Sequence, residues 1–418
     1  MSFRFLHAAD LHLDSPLRGL SRRGQVAGAF VDASRRALEN MVATAIGERV
    51  AFVVIAGDIY DGDWRDYSTG QFFVRQMGRL AREGIRVFII RGNHDAESVI
   101  TKSLPLPNNV HSFSVRTVES VAIEELRVML HGRGFANRHV PENVAASYPA
   151  AKPRYFNIGI LHTSLTGRED HDVYAPCGID DLRRPGYDYW ALGHIHKREI
   201  VANDPPIVFP GNLQARHARE TGAKGATLVT VTDGRVSQVD EVTLDAARFA
   251  HSELDLSGLR DPQEFLSAAR RVIHEASGEA GDRPLALRLT LTGETALHSY
   301  FGAHAGKLIE DVQALAWEIN DSVLIEKVRH STSLVRQLTG SAVIADFAEV
   351  LAEVAADASF QAEIEAVLAE LRSKAPEAAF SMLDLSGAGE NLAPSAISRA
   401  QDLVLANLGG VIVEEREP

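Results

Sequence analysis

One cysteine, Cys177, is present in 418 residues. A single thiol builds no internal disulfide framework and no cysteine-based zinc cluster, so Cys177 is read as a small buried residue. Long apolar runs are missing too: no stretch of 18 consecutive apolar residues occurs, so neither a membrane-spanning helix nor a membrane partner is expected. The first residues carry a charge at Arg4 and no small-residue cleavage pattern. A secretory leader is therefore not expected, and the expected location is cytoplasmic. No internal repeat is found. Positive charge is also in short supply, with 43 Lys and Arg against 56 Asp and Glu and a net charge of −13.

That deficit is unevenly spread. Residues 1–245 carry 29 basic and 29 acidic side chains, whereas residues 246–418 carry 14 and 27. If two acids of the first part hold divalent cations, that part has a net positive field. The acidic remainder is then expected to face something other than nucleic acid. Hydrophobic residues at 45% and charged residues at 24% are the proportions of a globular protein. The length exceeds one ordinary core, and the expected divisions are 1–245, 246–335 and a helical tail at 336–418.

Within the first division, short apolar runs alternate with helical patterns. Candidate strands are 3–9, 50–57, 86–92, 127–132, 156–162, 187–193, 206–211 and 226–231, and candidate helices are 28–47, 68–83 and 178–184. Apolar strands that end in Gly, Asp or His and alternate with helices predict an α/β layered sheet. In such sheets ligands gather at the carboxyl ends of strands. Strands from 249, over 284–293 and from 323, with helices over 262–276 and 297–316, read as a small α/β module. Helical periodicity then covers 341–372, and a Gly-, Ser- and Pro-bearing stretch (373–395) precedes a last helical segment at 396–408.

Five polar clusters fall at strand ends. They are Asp10 and His12 in ADLHLD, Asp58 and Asp61 in AGDIYD, Asn93, His94 and Asp95 in RGNHD, His162 in ILHTS, and His194 and His196 in LGHIH. Carboxylate, imidazole and amide together suit borderline-hard divalent ions such as Mn²⁺, Fe²⁺ or Zn²⁺. Each cluster alone has a plain alternative: a solvated loop, ordinary turn chemistry or a satisfied core histidine. Five of them in this order, each closing a strand, are not explained that way.

These clusters resemble the signature of the calcineurin-like metallophosphoesterase superfamily, namely D-x-H, G-D, G-N-H-[DE], H and G-H-x-H. Within it, LHAADLHLDSPL (6–17), FPGNLQARH (209–217) and the appended module are similar to the double-strand-break-repair nucleases. That family includes the nuclease subunit of SbcCD-type complexes, and a YhaO-like branch is the nearest likeness. The resemblance covers 1–240 by motif and 246–330 by architecture alone. It implies an α/β fold, a layered metallophosphoesterase β-sandwich flanked by helices. A small α/β capping domain over 246–335 would gate access of DNA, and the tail would dock on an SMC-type coiled-coil ATPase. Two divalent ions are implied, manganese foremost with iron or zinc as alternatives. Asp10, His12 and His196 would hold one ion, Asn93, His162 and His194 the other, and Asp58 would bridge both. A hydroxide shared by the ions would cleave DNA phosphodiesters, working as an exonuclease of DNA repair. His94 would assist the transition state or leaving oxygen without binding metal, and Asp95 would orient a histidine.

Several residues keep two readings. Asp61 stands where some family members have a substrate-touching histidine, so its substrate contact is open. Arg91 either contacts a phosphate or pairs with Asp61 or Asp63. Arg216, His217 and Arg219 either grip a phosphate backbone or form a loop salt-bridged to Glu220. His7 is read as packing, and His131 as structure or as support behind the site; His111, His139 and His171 have no supporting neighbours. Arg22, Arg23, Arg35 and Arg36 form either a basic face or a solvated helix surface. Val343, Ile344, Phe347, Val350, Leu351 and Val354, then Ile364, Val367, Leu368 and Leu371, fall on one face of each helical stretch, turned to the chain's own core or to a partner. Competing functions are a small-molecule phosphodiesterase or phosphatase of the same superfamily and a DNA-tethering subunit with a vestigial site. Whether the chain forms a homodimer is open.

Overall fold

The computed structural model describes residues 2–15, 28, 30–61, 67–97, 105–166, 174–333 and 342–374, with scattered positions between 393 and 404. Arg22, Arg23, Asp63, His171 and most of the expected segments 373–395 and 396–408 lie outside the described residues.

The chain runs β1 (Ser2–Ala8), α1 (Ala33–Gly47), β2 (Phe52–Ile55), α2 (Tyr67–Arg82), β3 (Arg86–Ile89), α3 (Asn93–Glu97), β4 (Val110–Ser112), β5 (Glu119–Ile123), β6 (Val128–Gly132) and β7 (Phe156–His162). It continues α4 (Ile179–Arg183), β8 (Tyr189–Gly193), β9 (Glu199–Asn203), β10 (Pro206–Phe209), β11 (Gly225–Thr232) and β12 (Arg235–Thr243). Two six-stranded sheets result, in the orders β12-β11-β1-β2-β3-β4 and β5-β6-β7-β8-β10-β9. The inner strands β1, β2 and β3 are parallel, as are β6, β7 and β8.

Alternation along each inner strand sends side chains into two layers. Phe5, Phe52, Val54 and Phe88 meet Ile158, Ile160 and Tyr189 between the sheets. Each such fully buried side chain contributes roughly 1.5–3 kcal/mol by leaving water. Leu6, Val53, Ile55 and Val87 face the other way, onto Leu38 and Met41 of α1 and Phe73 and Met77 of α2. The second sheet packs Leu161, Trp190 and Leu192 outward against Tyr148, Leu182 and Tyr187. His7 belongs to the inter-sheet layer, its ring nitrogens 3.0 Å from Tyr189 Oη and 3.1 Å from the Leu192 carbonyl. Burial holds its pKa down to about 3, so it packs as a neutral side chain, as read.

Four strands were not expected: β4, β5, β9 and β12. They are the four outer strands of the two sheets, mostly half-buried or exposed. An outer strand pairs on one side only and needs no continuous apolar run, so it leaves little pattern to read.

Further along the chain stand β13 (Arg248–Asp255), α5 (Pro262–Ala280), β14 (Leu285–Glu294), α6 (His298–Ala303), α7 (Ala305–Ile319), β15 (Val323–Ser333), α8 (Ala342–Ala356) and α9 (Ala358–Lys374). β13, β14 and β15 form a three-stranded sheet in that order. The single helix expected over 297–316 is two, broken at His304. The helical stretch 341–372 is likewise two helices, because the Asp357 carboxylate accepts from the Phe360 N–H at 2.8 Å and starts a new one. Two compact units emerge: Met1–Ala250 with Glu279–Leu287 and Ser322–Glu326, and His251–Gly278 with Arg288–Asp321 and Lys327–Pro418. No helix among the described residues is long and apolar enough to cross a membrane.

Candidate metal centre

The loops after β1 and β2 stay paired past the ends of their strands. Asp10 N–H donates to the Gly57 carbonyl, His12 N–H to Asp58 and Leu13 N–H to Ile59, each at 3.0 Å. This pairing carries Asp10, His12 and Asp58 forward together. All three adopt left-handed backbone, with φ of 51°, 40° and 53°. For non-glycine residues that conformation costs on the order of 1–3 kcal/mol each, and it aims the side chains inward. β7 ends on His162, and β8 ends on Gly193, paired to it. A Cβ on Gly193 would lie 2.0 Å from the Ala56 carbonyl oxygen and 2.8 Å from His162 Nδ1. Only glycine lets the two sheets close at this point.

The expected ligands converge. Asp10, His12 and His196 bring one ligand atom each within 4.8 Å of one another, and so do Asp10, Asp58 and His162. His12 Nε2 lies 3.2 Å from His196 Nε2 and 3.7 Å from Asp58 Oδ2. Asn93 Oδ1 lies 2.9 Å from His162 Nε2, and Asp58 Oδ2 lies 3.4 Å from the same nitrogen. His194 enters neither group; its ring meets that of His162 edge-on at 5.2 Å and stacks on Tyr174 at 5.6 Å. Its backbone N–H donates to both Asp10 oxygens, at 3.2 and 3.0 Å.

Burial opposes charge on Asp58, but the His162 imidazole outweighs it and holds that carboxyl well below the usual range. Burial lowers His162 in turn, and the Asp58 carboxylate more than reverses this, lifting it to about 9. Burial raises Asp10. It also lowers His12, with the Arg216 charge adding to the effect.

A third group joins His12, Asp61 and His94. His94 Nδ1 lies 2.9 Å from Asp61 Oδ1, and Ser15 Oγ donates to Asp61 Oδ2 at 2.6 Å. Burial lowers the His94 pKa, but its bond to Asp61 and the charges of Asp58 and Asp61 raise it overall. Asp61 therefore sets the orientation of His94, the part expected of Asp95. Asp95 does something else. Its carboxylate accepts from the backbone N–H groups of Ile59, Tyr60 and Gly92 at 3.0–3.2 Å. Burial, with Asp58 nearby, lifts it to about 6. It ties the Asp58 loop to the Asn93 turn and meets no histidine in those bonds.

Arg216 stands at Asp61, with Nη1 3.8 Å from Oδ2. Of the two readings of the 216–220 segment, the structure shows the pairing with Glu220: Arg216 and His217 lie 3.7 and 3.6 Å from its Oε1. The backbone carbonyl of Arg91 accepts from Phe135 N–H at 3.1 Å. His131 is structural, held by Ser120 and Asn157 and stacked on Tyr187. Arg35 is no plain surface charge, because it forks onto Asp14. Sequence reasoning missed Glu220 as a partner of His196, whose Nδ1 it meets at 2.7 Å. The only signal was its closeness in sequence to FPGNLQARH.

Divalent ions fit this cluster. His162 Nδ1 faces the Ala56 carbonyl at 2.9 Å, while its Nε2 faces the oxygens of Asn93 and Asp58. A neutral ring carries one proton, so with Nδ1–H on the Ala56 carbonyl the Nε2 side, facing acceptor oxygens, is a place for a cation, whether a second ring proton or a metal ion. His12 Nδ1 is buried with no hydrogen-bond partner, and two imidazole Nε2 atoms face each other across 3.2 Å. Carboxylate oxygen, imidazole nitrogen and amide oxygen form the donor set of manganese, iron or zinc.

Two outcomes follow from this geometry. Asp58→Asn is expected to remove the carboxylate that lies by both His12 and His162, leaving Mn²⁺ uptake by the EDTA-stripped chain at least tenfold weaker and phosphodiester hydrolysis lost; near-normal turnover would show that Asp58 is not the bridging acid that the resemblance implies. His94→Ala is expected to keep its Mn²⁺ content, measured by elemental analysis, and to slow hydrolysis by about 10²–10⁴-fold. Loss of metal in that variant would make His94 a ligand.

Comparison with known proteins agrees with the geometry. Residues 3–198 match the calcineurin-like phosphoesterase family, and residues 249–333 match the middle domain of the metallophosphoesterase YhaO. The chain is 37% identical over 318 residues to a Bacillus subtilis (strain 168) protein described as the uncharacterized metallophosphoesterase YhaO, covering 74% of this chain and 76% of that one. It is 23% identical to the DNA double-strand break repair protein Mre11 of Methanopyrus kandleri, over 67% of this chain and 66% of that one. With the Mre11 of Sulfurisphaera tokodaii it shares 24% identity, over 62% and 67%. With its motifs at the strand ends of a double sheet and its middle domain matched as well, the chain belongs to the calcineurin-like metallophosphoesterases, in their YhaO-like branch.

Proposed function

We propose that this metallophosphoesterase is a two-metal DNA exonuclease of DNA repair, using manganese in the cytoplasm beside an SMC-type ATPase. The observation that carries the reading is the convergence of Asp10, His12, Asp58, Asn93, His162 and His196 with His94 held beside them by Asp61. The likeness to the two Mre11 proteins over about two thirds of the chain supports DNA as substrate. In this reading Asp10, His12, Asp58, Asn93, His162 and His196 would hold two divalent ions, which would supply positive charge against the phosphate and a water of lowered pKa. His94, oriented by Asp61, presents its other ring nitrogen to the leaving oxygen. Arg216, between Asp61 and Glu220, would be the guanidinium that meets a neighbouring phosphate oxygen, and His217, on the same turn, the more exposed contact. His194 would be a further ligand of the second ion, as the resemblance implies.

Residues 246–335 serve as the cap that gates DNA by shape, since their side of the chain holds the negative excess. The tail binds the ATPase. In support, Phe347, Val350 and Val354 of α8 and Val367 and Leu371 of α9 are 40–55% exposed, an apolar face suited to a coiled-coil surface. The side chains of Val343 and Ile344 lie outside the described residues.

With Mn²⁺ the chain is expected to shorten linear duplex DNA and to hydrolyse bis-p-nitrophenyl phosphate, both stopped by EDTA. Cleavage of the small ester with DNA left whole would favour a small-molecule phosphodiesterase. Silence on both by a Mn²⁺-loaded chain would favour a tethering subunit. Truncation after residue 335 is expected to leave a metal-binding phosphodiesterase that no longer co-purifies with a coiled-coil ATPase encoded beside it; equal recovery of both forms would refute docking by the tail.

A further inference from the structure

The loop after β10 reaches the centre without being part of any expected ligand set. Gly211 turns it with φ of 80°, and a Cβ there would lie 3.0 Å from both the Arg198 nitrogen and the His196 carbonyl. The bare backbone therefore lies on the segment that carries His196. Asn212 N–H donates to the His196 carbonyl at 3.3 Å, and Leu213 N–H to the Asp10 carbonyl at 3.4 Å. Gln214 anchors the loop from behind, accepting from Ala246 N–H at 2.8 Å and donating to the Ala247 carbonyl at 2.6 Å.

Inside this loop Glu220 is 8% exposed, with each oxygen given a separate task. Oε2 accepts from Asn212 Nδ2 at 2.9 Å and from Arg216 N–H at 2.7 Å. Oε1 faces His196 Nδ1 at 2.7 Å. That nitrogen has a second neighbour, Arg216 Nη2, at 3.3 Å. The two neighbours make opposite demands. A carboxylate only accepts and requires Nδ1–H; a guanidinium only donates and requires a bare Nδ1. The shorter, charge-assisted contact decides in favour of Glu220. With its proton on Nδ1, His196 turns a lone pair on Nε2 toward His12 and Asp10, 3.2 and 3.8 Å away.

We propose that Glu220 is a positioning residue that fixes the tautomer of His196 against the competing donor Arg216, so that Nε2 is free to bind a divalent ion with Asp10 and His12. This rests on the reading that those three residues hold such an ion. Carboxylates that take the far N–H of a ligating histidine are a recurrent way to orient the ring and raise its basicity.

Glu220→Gln tests this with little change of shape. Its amide oxygen is drawn to the two fixed donors, Asn212 and Arg216 N–H, which turns the amide NH₂ toward His196 Nδ1. The imidazole proton then belongs on Nε2, where it blocks the ion. The full-length chain is stripped with EDTA and titrated with Mn²⁺, free Mn²⁺ being counted by its paramagnetic resonance, and its melting temperature is read in EDTA. The wild type is expected to take two ions. Glu220→Gln should bind one of them about 10–100-fold more weakly, with the other and the melting temperature unchanged, while Glu220→Asp retains more affinity than Gln. In a His196→Gln background, adding Glu220→Gln should cost no further affinity. Wild-type affinity at both sites in Glu220→Gln would overturn the assignment. So would additive losses in the double variant, or a Glu220→Gln chain that misfolds or melts well below the wild type in EDTA, since each would make Glu220 an anchor of the loop. A wild-type chain that takes up no Mn²⁺ would remove the two-ion reading itself, and this inference with it.

Discussion

Two carboxylates with almost no exposure, Asp10 and Asp58, stand in one cluster, and burying that much negative charge is the constraint around which the rest is arranged. An unpaired charge out of water is among the costliest things a fold can hold. Each acid is compensated twice. Backbone N–H groups of His194 and His94 point at Asp10 and Asp58, and imidazoles crowd their other sides. Supplying those donors requires the left-handed turns at Asp10, His12 and Asp58 and the continued pairing of the β1 and β2 loops. The bare backbone at Gly193 follows from the same need. Divalent cations held by these groups would complete the balance.

The sequence made legible what depends on the chemical type of a residue. Asp10, His12, Asp58, Asn93, His162 and His196 could be read because carboxylate, imidazole and amide recur at the ends of apolar runs, and strand ends are where a layered sheet collects polar groups. The inner strands were readable for a related reason: largely buried on both faces, they are mostly apolar. What depends on the direction of a side chain was not legible. His94 and Asp95 are neighbours in sequence, but on the short α3 helix successive residues point about 100° apart. One reaches the cleft, and the other turns back to the Ile59, Tyr60 and Gly92 N–H groups. Spacing could not say that Asp61, three residues past Asp58, would orient His94.

Outer strands and helix breaks mark the other limit. β12 pairs along its whole length with β11, yet its sequence, RVSQVDEVT, is largely polar because one edge and much of its surface meet water. A periodic pattern registers burial, and a strand held mainly by backbone bonds has little of it. The division of 341–372 into two helices is marked by two side-chain bonds, the Asp357 carboxylate accepting from Phe360 N–H and Gln361 Nε2 donating to the Ala355 carbonyl. Periodicity averaged over several turns does not resolve a cap.

The register of β1 bears on how the cluster comes into being. Ser2 pairs with Thr232 and His7 with Thr227, so the strand that delivers Asp10 and His12 finds one of its two neighbours more than two hundred residues later in the chain. During synthesis β1 waits with an open edge until β11 has emerged, and the His196 and Glu220 segments become available only shortly before it. Contacts this distant in sequence close late, because the entropy of a large loop opposes them. The metal cluster is therefore among the last things this unit can assemble, and a chain halted before β11 would hold the acids without the frame that keeps them together.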